Sequence, residues 1–198
     1  MSSKFCNRNR SLICGIDEAG RGPLAGPVCA AAVILPDDFP KDCLKDSKKL
    51  SPCSREELRR FICSTALWGI GWASASEIDS INILQGSLLA MKRAFESMIK
   101  FMGASSLQGF EVIVDGLYVP DISAPSRALV KADNLIHEVM AASILAKTAR
   151  DRMMELYSIF YPEYGYDKHK GYPTAAHRAA IIRYGPSPIQ RMTFKVKT

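Results

Sequence analysis

The chain has 198 residues, of which 47% are hydrophobic, and a formal net charge of +6. This length suits one well-packed domain and is short for two, so we expect residues 1–198 to form a single domain. The six cysteines include no CxxC pair, which argues against a zinc knuckle and a disulfide scaffold. The positive charge suits a nucleic-acid partner, although an ordinary basic protein carries as much. We expect a cytoplasmic location, because there is no signal peptide and no apolar run that could cross a bilayer. We also expect a monomer.

The first predicted strand and the residues after it hold the most informative pattern. Following a basic arm at 1–10, the apolar run Leu12–Ile16 predicts a buried strand that ends at two adjacent carboxylates, Asp17 and Glu18. Charge beside a core strand persists only where it is paired, hydrogen-bonded or bound to a cation. A second, small and apolar strand is predicted at Val28–Leu35, most simply antiparallel to the first.

Gly20, Arg21 and Gly22 form a short loop between these two strands. Glycine lets another backbone come close, and an arginine supplies a planar donor fork that suits phosphate. We therefore hypothesise a metal-binding carboxylate site beside a loop that touches a polyanion. The loop alone is weak evidence, since it matches neither the dinucleotide fingerprint nor the P-loop.

The remaining pattern predicts an α/β domain with a mixed sheet flanked by helices. A charged loop at 41–50 leads to a helix that begins after Ser51-Pro52 and runs to about Ala66. The further predicted elements are a strand at 68–75, a helix at 76–100, a loop at 103–109, strands at 110–114 and 126–131, a helix at about 134–157, an aromatic and basic loop at 161–174, a helix at 175–183 and a basic tail.

Carboxylates recur at the ends of these elements. The strand at 110–114 is followed by Asp115, and Asp133 stands at the start of the long helix. Neighbouring strands would bring Asp115 to the Asp17–Glu18 pair, and such close like charges repel unless cations lie between them. Oxygen ligands alone favour magnesium or manganese. Two such ions about 3.5–4 Å apart can activate water and stabilise a leaving oxygen, which is phosphodiester hydrolysis.

Each acid also has a simpler explanation. Asp17 and Glu18 could be a turn after a strand, Asp115-Gly116 is a common turn signal, and Asp133 could cap a helix. Two other functions therefore stay open: a non-catalytic nucleic-acid binder whose acids only cap elements, and a phosphotransferase that holds a nucleotide at the glycine loop. The missing P-loop lysine counts against the second of these.

Several other side chains are candidates for substrate contact. Lys48 and Lys49, with Lys45, could bind phosphates or could simply form a solvated loop. Ser143 and Lys147 lie one helical turn apart and could face the substrate or the acids, with ordinary helix packing as the alternative.

An aromatic and basic patch at 169–172 is the last candidate. His169, Lys170 and Tyr172 suit stacking and backbone contact with a nucleic acid, and a structural Tyr-Pro turn is the alternative. Arg150 and Asp151 are interpreted as a surface pair, and His137 and His177 as structural. The tail residues could extend the duplex footprint or could only aid solubility; they are Arg191, Lys195 and Lys197.

Six motifs occur in order between about Leu12 and Phe194. They are GIDEAGRGPLAGPV at 15–28, DSKKL at 46–50, EID and NIL within 77–84, Asp115-Gly116, AASILAK and RD within 141–151, and HKGYPT at 169–174. Together they resemble bacterial ribonuclease HII, the type 2 ribonuclease H. The sister family ribonuclease HIII has an extra N-terminal domain and lacks the loop arginine, so it fits less well. Leu117 and Ala132 depart from the family pattern that we expect.

The resemblance implies an RNase H-like fold with a C-terminal helical part at about 160–198. It implies cutting of RNA in RNA–DNA hybrids and nicking 5′ of single ribonucleotides in duplex DNA, with 3′-hydroxyl and 5′-phosphate ends, as in ribonucleotide repair and replication. It also implies Mn²⁺ or Mg²⁺ as cofactor. By position, Asp17, Glu18, Asp115 and Asp133 would be the catalytic metal ligands, Gly20, Arg21 and Gly22 would sense the ribose 2′-hydroxyl, and Tyr172 would stack on the neighbouring deoxyribose.

Overall fold

Five strands form the central sheet of the structure, a computed structural model that describes residues 12–44, 51–102 and 110–195. Their spatial order is β3-β2-β1-β4-β5. The first three pair antiparallel, whereas β4 lies parallel to β1 and β5 lies parallel to β4. The predicted mixed sheet is therefore confirmed. In chain order the strands are β1 (Leu12–Ala19), β2 (Val28–Ile34), β3 (Leu67–Ala73), β4 (Phe110–Asp115) and β5 (Ser126–Leu129).

Helices cover both faces of this sheet. Helices α1 (Pro52–Thr65), α2 (Ala75–Met102) and α3 (His137–Phe160) lie on the sheet, whereas α4 (Tyr166–His169) and α5 (Ala175–Tyr184) pack beside the C-terminal half of α3. Helix α2 packs on one face through a cluster that includes Ile78 and Met91. Helices α1 and α3 pack on the other face through Ile62 and Leu145. Burial of these apolar side chains on both faces is the main source of the fold's stability.

Glycine at position 15 lets α3 approach the centre of the sheet. A Cβ added to Gly15 would lie 2.2 Å from the backbone carbon of Glu138 and 2.2 Å from the backbone nitrogen of Val139. Only a residue without a side chain allows this contact. The close approach places the next turns of α3, which carry Ser143 and Lys147, beside the end of β1.

Three elements differ from the sequence prediction. Strand β1 continues through both carboxylates to Ala19, because β2 pairs with it over its whole second half. Helix α3 begins at His137, and Asp133 lies instead in a preceding 3-10 turn, Ala132–Asn134. The predicted loop at 161–174 contains a 3-10 turn at Pro162–Tyr164 and helix α4, because Tyr164 and Tyr166 are buried and anchor it.

Some predicted features fall outside the described residues. These are the basic arm at 1–10, the loop at 103–109, Lys45, Lys48 and Lys49 of the charged loop, and Lys197 of the tail. Across the described ranges, no helix combines the length and the apolar character needed to span a bilayer.

Candidate active site

The first three acids of the site meet because two strands run parallel. The register pairs Ile16 of β1 with Val114 of β4, so the next residues, Asp17 and Asp115, leave the same end of neighbouring strands. They are ninety-eight positions apart in the sequence, yet the parallel pairing brings them close enough for their charges to interact. Glu18, one residue further along β1, also lies close enough to Asp115 for their charges to interact.

Asp133 is brought to this edge by a hydrogen bond from its own turn. The backbone N–H of Ala132 donates to Oδ1 of Asp115 over 2.7 Å, and the backbone N–H of Gly116 donates to the carbonyl of Leu129 over 3.2 Å. The first bond holds the 3-10 turn against the end of β4, and the second joins the ends of β4 and β5. The side chain of Asp115 thus reaches the turn in which Asp133 lies.

Burial and like charge both act on the two acids of β1. Asp17 is 6% exposed, and burial raises its pKa well above the ordinary value, with the charges of Glu18 and Asp115 adding to the rise. A hydrogen bond from the Ser143 side chain acts in the opposite direction. Burial also raises the pKa of Glu18, and Arg21, whose Nη1 lies 3.2 Å from Oε1, partly offsets it.

The donor chemistry fits a hard divalent cation. Every candidate ligand is a carboxylate oxygen, and Oε2 of Glu18 is buried without a hydrogen-bond partner. A buried carboxylate oxygen without a hydrogen-bond partner is costly, and a bound cation would remove that cost. Within 12–44, 51–102 and 110–195, no three acidic, histidine or cysteine side chains form a ready-made metal cage. Magnesium sites are commonly of this open kind, with waters and substrate phosphates completing the coordination.

A groove of about 330 Å³ opens beside Glu18. Ser143 and Lys147 line it from α3, and Lys147 also pairs with Asp151 at 2.6 Å. Arg55 of α1 lines the same groove. Sequence reasoning missed Arg55, because a charged residue on an amphipathic helix gives no signal of which element it will face.

The glycine loop lies at the mouth of this groove. Gly20 has φ +99° and is buried, and a Cβ there would lie 1.9 Å from Nε of Arg150. Arg21 and Gly22 are exposed, and a Cβ on Gly22 would lie 3.7 Å from the ring of Tyr172. The structure therefore brings the glycine loop and Tyr172 together, and the Tyr172 side chain is 42% exposed.

Two predicted surface arginines are buried, so both assignments are wrong. Arg150 is 1% exposed and donates to the backbone carbonyls of Pro27, Ala25 and Lys170 at 2.9–3.2 Å. Arg191 is 0% exposed and donates to carbonyls of the glycine loop. A pattern of charges cannot reveal such partners, because backbone carbonyls carry no sequence signal.

The two basic residues beside Tyr172 have protein partners. The ring nitrogens of His169 contact the carbonyl of Tyr164 and the N–H of Gly171. Lys170 binds Glu155 at 2.8 Å. Both side chains thus help to hold the Tyr172 turn in place, and their predicted contact with substrate stays a prediction. The predicted phosphate contacts Lys48 and Lys49 lie outside the described residues.

Comparisons with known proteins identify the family of this chain. The family model described as ribonuclease HII matches residues 14–197. Ribonuclease HII of Treponema denticola is 58% identical, over 94% of this chain and 99% of that protein. A solved structure of the PCNA:RNase HII complex from Archaeoglobus fulgidus is similar with a TM-score of 0.74 and 26% identity, covering 94% of this chain and 96% of that one.

A second solved structure supports the fold alone. Bst-RNase HIII in complex with Mn²⁺ is similar with a TM-score of 0.74 at 18% identity, covering 96% of this chain and 69% of that chain. The predicted RNase H-like architecture is thereby confirmed.

Proposed function

Since this chain belongs to the ribonuclease HII family and is an endoribonuclease of RNA–DNA hybrids, we propose that it also nicks the 5′ side of single ribonucleotides in duplex DNA. The products would be a 3′-hydroxyl and a 5′-phosphate. The observation that carries the proposal is the parallel register of β1 and β4, which sets Asp17 beside Asp115 at one sheet edge. Carboxylates at the end of parallel strands, beside a groove lined by basic side chains, suit metal-assisted hydrolysis of a phosphodiester.

Asp17, Glu18, Asp115 and Asp133 would hold the divalent cation. When bound, that cation supplies a Lewis acid for the phosphodiester and lowers the pKa of the attacking water. Oε2 of Glu18, which is buried and without a partner, is the first atom that we expect to coordinate. Ser143 orients Asp17 by its hydrogen bond.

Basic side chains of the groove would bind the phosphate backbone. Arg55 of α1 and Lys147 of α3 line it next to Glu18. Such contacts position a duplex without reading its sequence, and they weaken with added salt. This separation of tasks suits an enzyme that reads one sugar and tolerates any base.

The ribose would be read at the mouth of the groove. Backbone groups of Gly20, Arg21 and Gly22 would contact the 2′-hydroxyl, which distinguishes RNA from DNA at a single nucleotide. The exposed ring of Tyr172, adjacent to Gly22, would pack on the neighbouring deoxyribose. A ribose followed by a deoxyribose would satisfy both contacts.

Magnesium or manganese would serve, because only oxygen ligands are present. The Mn²⁺ complex of the HIII relative supports manganese. We further propose that residues 1–198 act as one catalytic domain and as a monomer. We place it in the cytoplasm, where a bacterial chromosome lies; the five described cysteines are free thiols, as a reducing compartment favours.

The test is cleavage of a labelled DNA duplex that contains one ribonucleotide, with Mg²⁺, with Mn²⁺ and with EDTA. We expect one cut on the 5′ side of the ribonucleotide, only with metal, and near-complete loss of cutting in Asp17→Asn with duplex binding kept. A matched all-DNA duplex should remain intact. No incision under either metal would contradict the proposal, and undiminished function in Asp17→Asn would favour the non-catalytic binder.

A further inference from the structure

The buried guanidinium of Arg191 is surrounded by backbone carbonyls of the glycine loop and of the residues just after it. Its Nη2 donates to Gly20 over 2.6 Å, and its Nη1 donates to Arg21 and to Pro23 over 2.9 Å each. Its Nε donates to Gly26 over 2.9 Å. One side chain, 165 or more positions away in sequence, therefore sets the direction of four loop carbonyls.

These four bonds also set the direction of the loop's amides. In a trans peptide the N–H points opposite to the C=O of the same unit. Because the carbonyls of Gly20 and Arg21 point inward to Arg191, the N–H groups of Arg21 and Gly22 point outward. Both residues are exposed, and the ring of Tyr172 lies beside Gly22.

The segment that carries Arg191 is held from two sides. Its own N–H donates to the carbonyl of Leu24 over 2.8 Å. On the other side, the carboxylate of Asp79 accepts from the backbone N–H groups of Met192 and Thr193 at 2.8 and 2.9 Å. The guanidinium is therefore fixed relative to both the loop and α2.

Arginine at this position has a cost that a simple packing role does not require. Burial lowers the pKa of Arg191 to about 9, and apolar groups often stabilise a core as well as a buried charge does. Lysine could not replace it, because an ammonium is a point donor, whereas the guanidinium is a planar fork that reaches four acceptors at once.

We propose that Arg191 is a positioning residue for ribonucleotide recognition, because it turns the amides of Arg21 and Gly22 toward the substrate groove. The proposal rests on the proposed function, in which the glycine loop reads the 2′-hydroxyl. It adds that the preference for a ribonucleotide over a deoxyribonucleotide depends on a residue near the C-terminus that does not touch the nucleic acid.

The experiment compares Arg191→Lys with the matched control Arg183→Lys, an exposed arginine of α5. Both are made in the Asp17→Asn background, so that neither duplex is cut. Dissociation constants are measured for a duplex with one ribonucleotide and for an all-DNA duplex of the same sequence. We expect Arg191→Lys to lower the ratio of the two constants about tenfold, the scale of one well-made hydrogen bond, and Arg183→Lys to leave it unchanged.

The ratio separates positioning from stability. A variant that is only less stable loses affinity for both duplexes equally, so an unchanged ratio in folded Arg191→Lys overturns the inference. If that variant does not fold, Asp79→Ala, which releases the segment at Met192 and Thr193, is measured in the same way, and an unchanged ratio there also overturns it. A protein with Arg191 intact that shows no preference would instead contradict the proposed function itself.

Discussion

Replacing Asp17 with asparagine should stabilise the fold while it removes activity. Asparagine keeps the side-chain oxygen that accepts the N–H of Glu18 over 2.7 Å, and it keeps the same volume. It removes a buried charge that Glu18 and Asp115 repel. Sites that hold several acids for a metal commonly lower stability for the sake of function.

The stability difference between Asp17→Asn and the native protein should depend on pH. Because the folded-state pKa of Asp17 is raised, the fold favours the protonated acid, and stability falls as the pH rises from near 4 through the raised value. The asparagine side chain of the variant does not titrate, so it has no such dependence. The difference in stability should therefore be close to zero near pH 4 and reach about 1–2 kcal/mol at neutral pH, equivalent to roughly 2–8 °C in Tm for a chain of this size.

Thermal unfolding of both proteins in EDTA between pH 4 and pH 8 checks the prediction, and circular dichroism is sufficient. Added Mg²⁺ should then raise the Tm of the native protein more than that of Asp17→Asn, because only the former keeps the full ligand set. A variant that is less stable at pH 7, or a gap that does not shrink toward pH 4, would refute the reasoning.

Substitutions at three further positions test the scaffold, the substrate contact and an ion-pair cluster. Gly15→Ala should cost more than 3 kcal/mol, roughly the upper range for single changes, because its Cβ would lie 2.2 Å from the Val139 backbone; urea unfolding measures it. Tyr172→Ala should weaken binding of the ribonucleotide duplex by about 1–3 kcal/mol, and Tyr172→Phe should not. Arg59 and other arginines, including Arg152 of α3, lower the pKa of Glu56 to about 2. Glu56→Gln should therefore lose under about 1 kcal/mol at pH 7, and this difference should disappear as the pH falls from 4.5 to about 2.

Matched controls make these outcomes specific. In Gly22→Ala the new Cβ would lie 3.7 Å from its nearest neighbour, so the urea midpoint should not change. An equal loss of stability in both glycine variants would contradict the role of Gly15. Glu57→Gln, which removes the charge of the exposed neighbour of Glu56, is the matched control for the Glu56 variant. For Tyr172, equal losses of affinity in the phenylalanine and alanine variants would argue against stacking.

Local pattern was sufficient for most elements of this fold. The strands at β2 and β4 were predictable because small apolar runs end at turn residues, and α1 was predictable from Ser51-Pro52. Strand β1 was predicted too short. Its last residues include Asp17 and Glu18, whose sequence pattern indicates a turn. Pairing with β2 keeps them extended.

The arginines show where sequence reasoning stops. Arg150 and Arg191 have the same charge as any surface arginine, and their partners are carbonyl groups that every residue possesses. The sequence by itself determined which side chains could carry the chemistry, because acids, glycines and aromatic residues have different functional groups. Tertiary structure alone decided which of them meet, since sheet register and the return of the C-terminal segment join positions that lie about 100 to 170 residues apart.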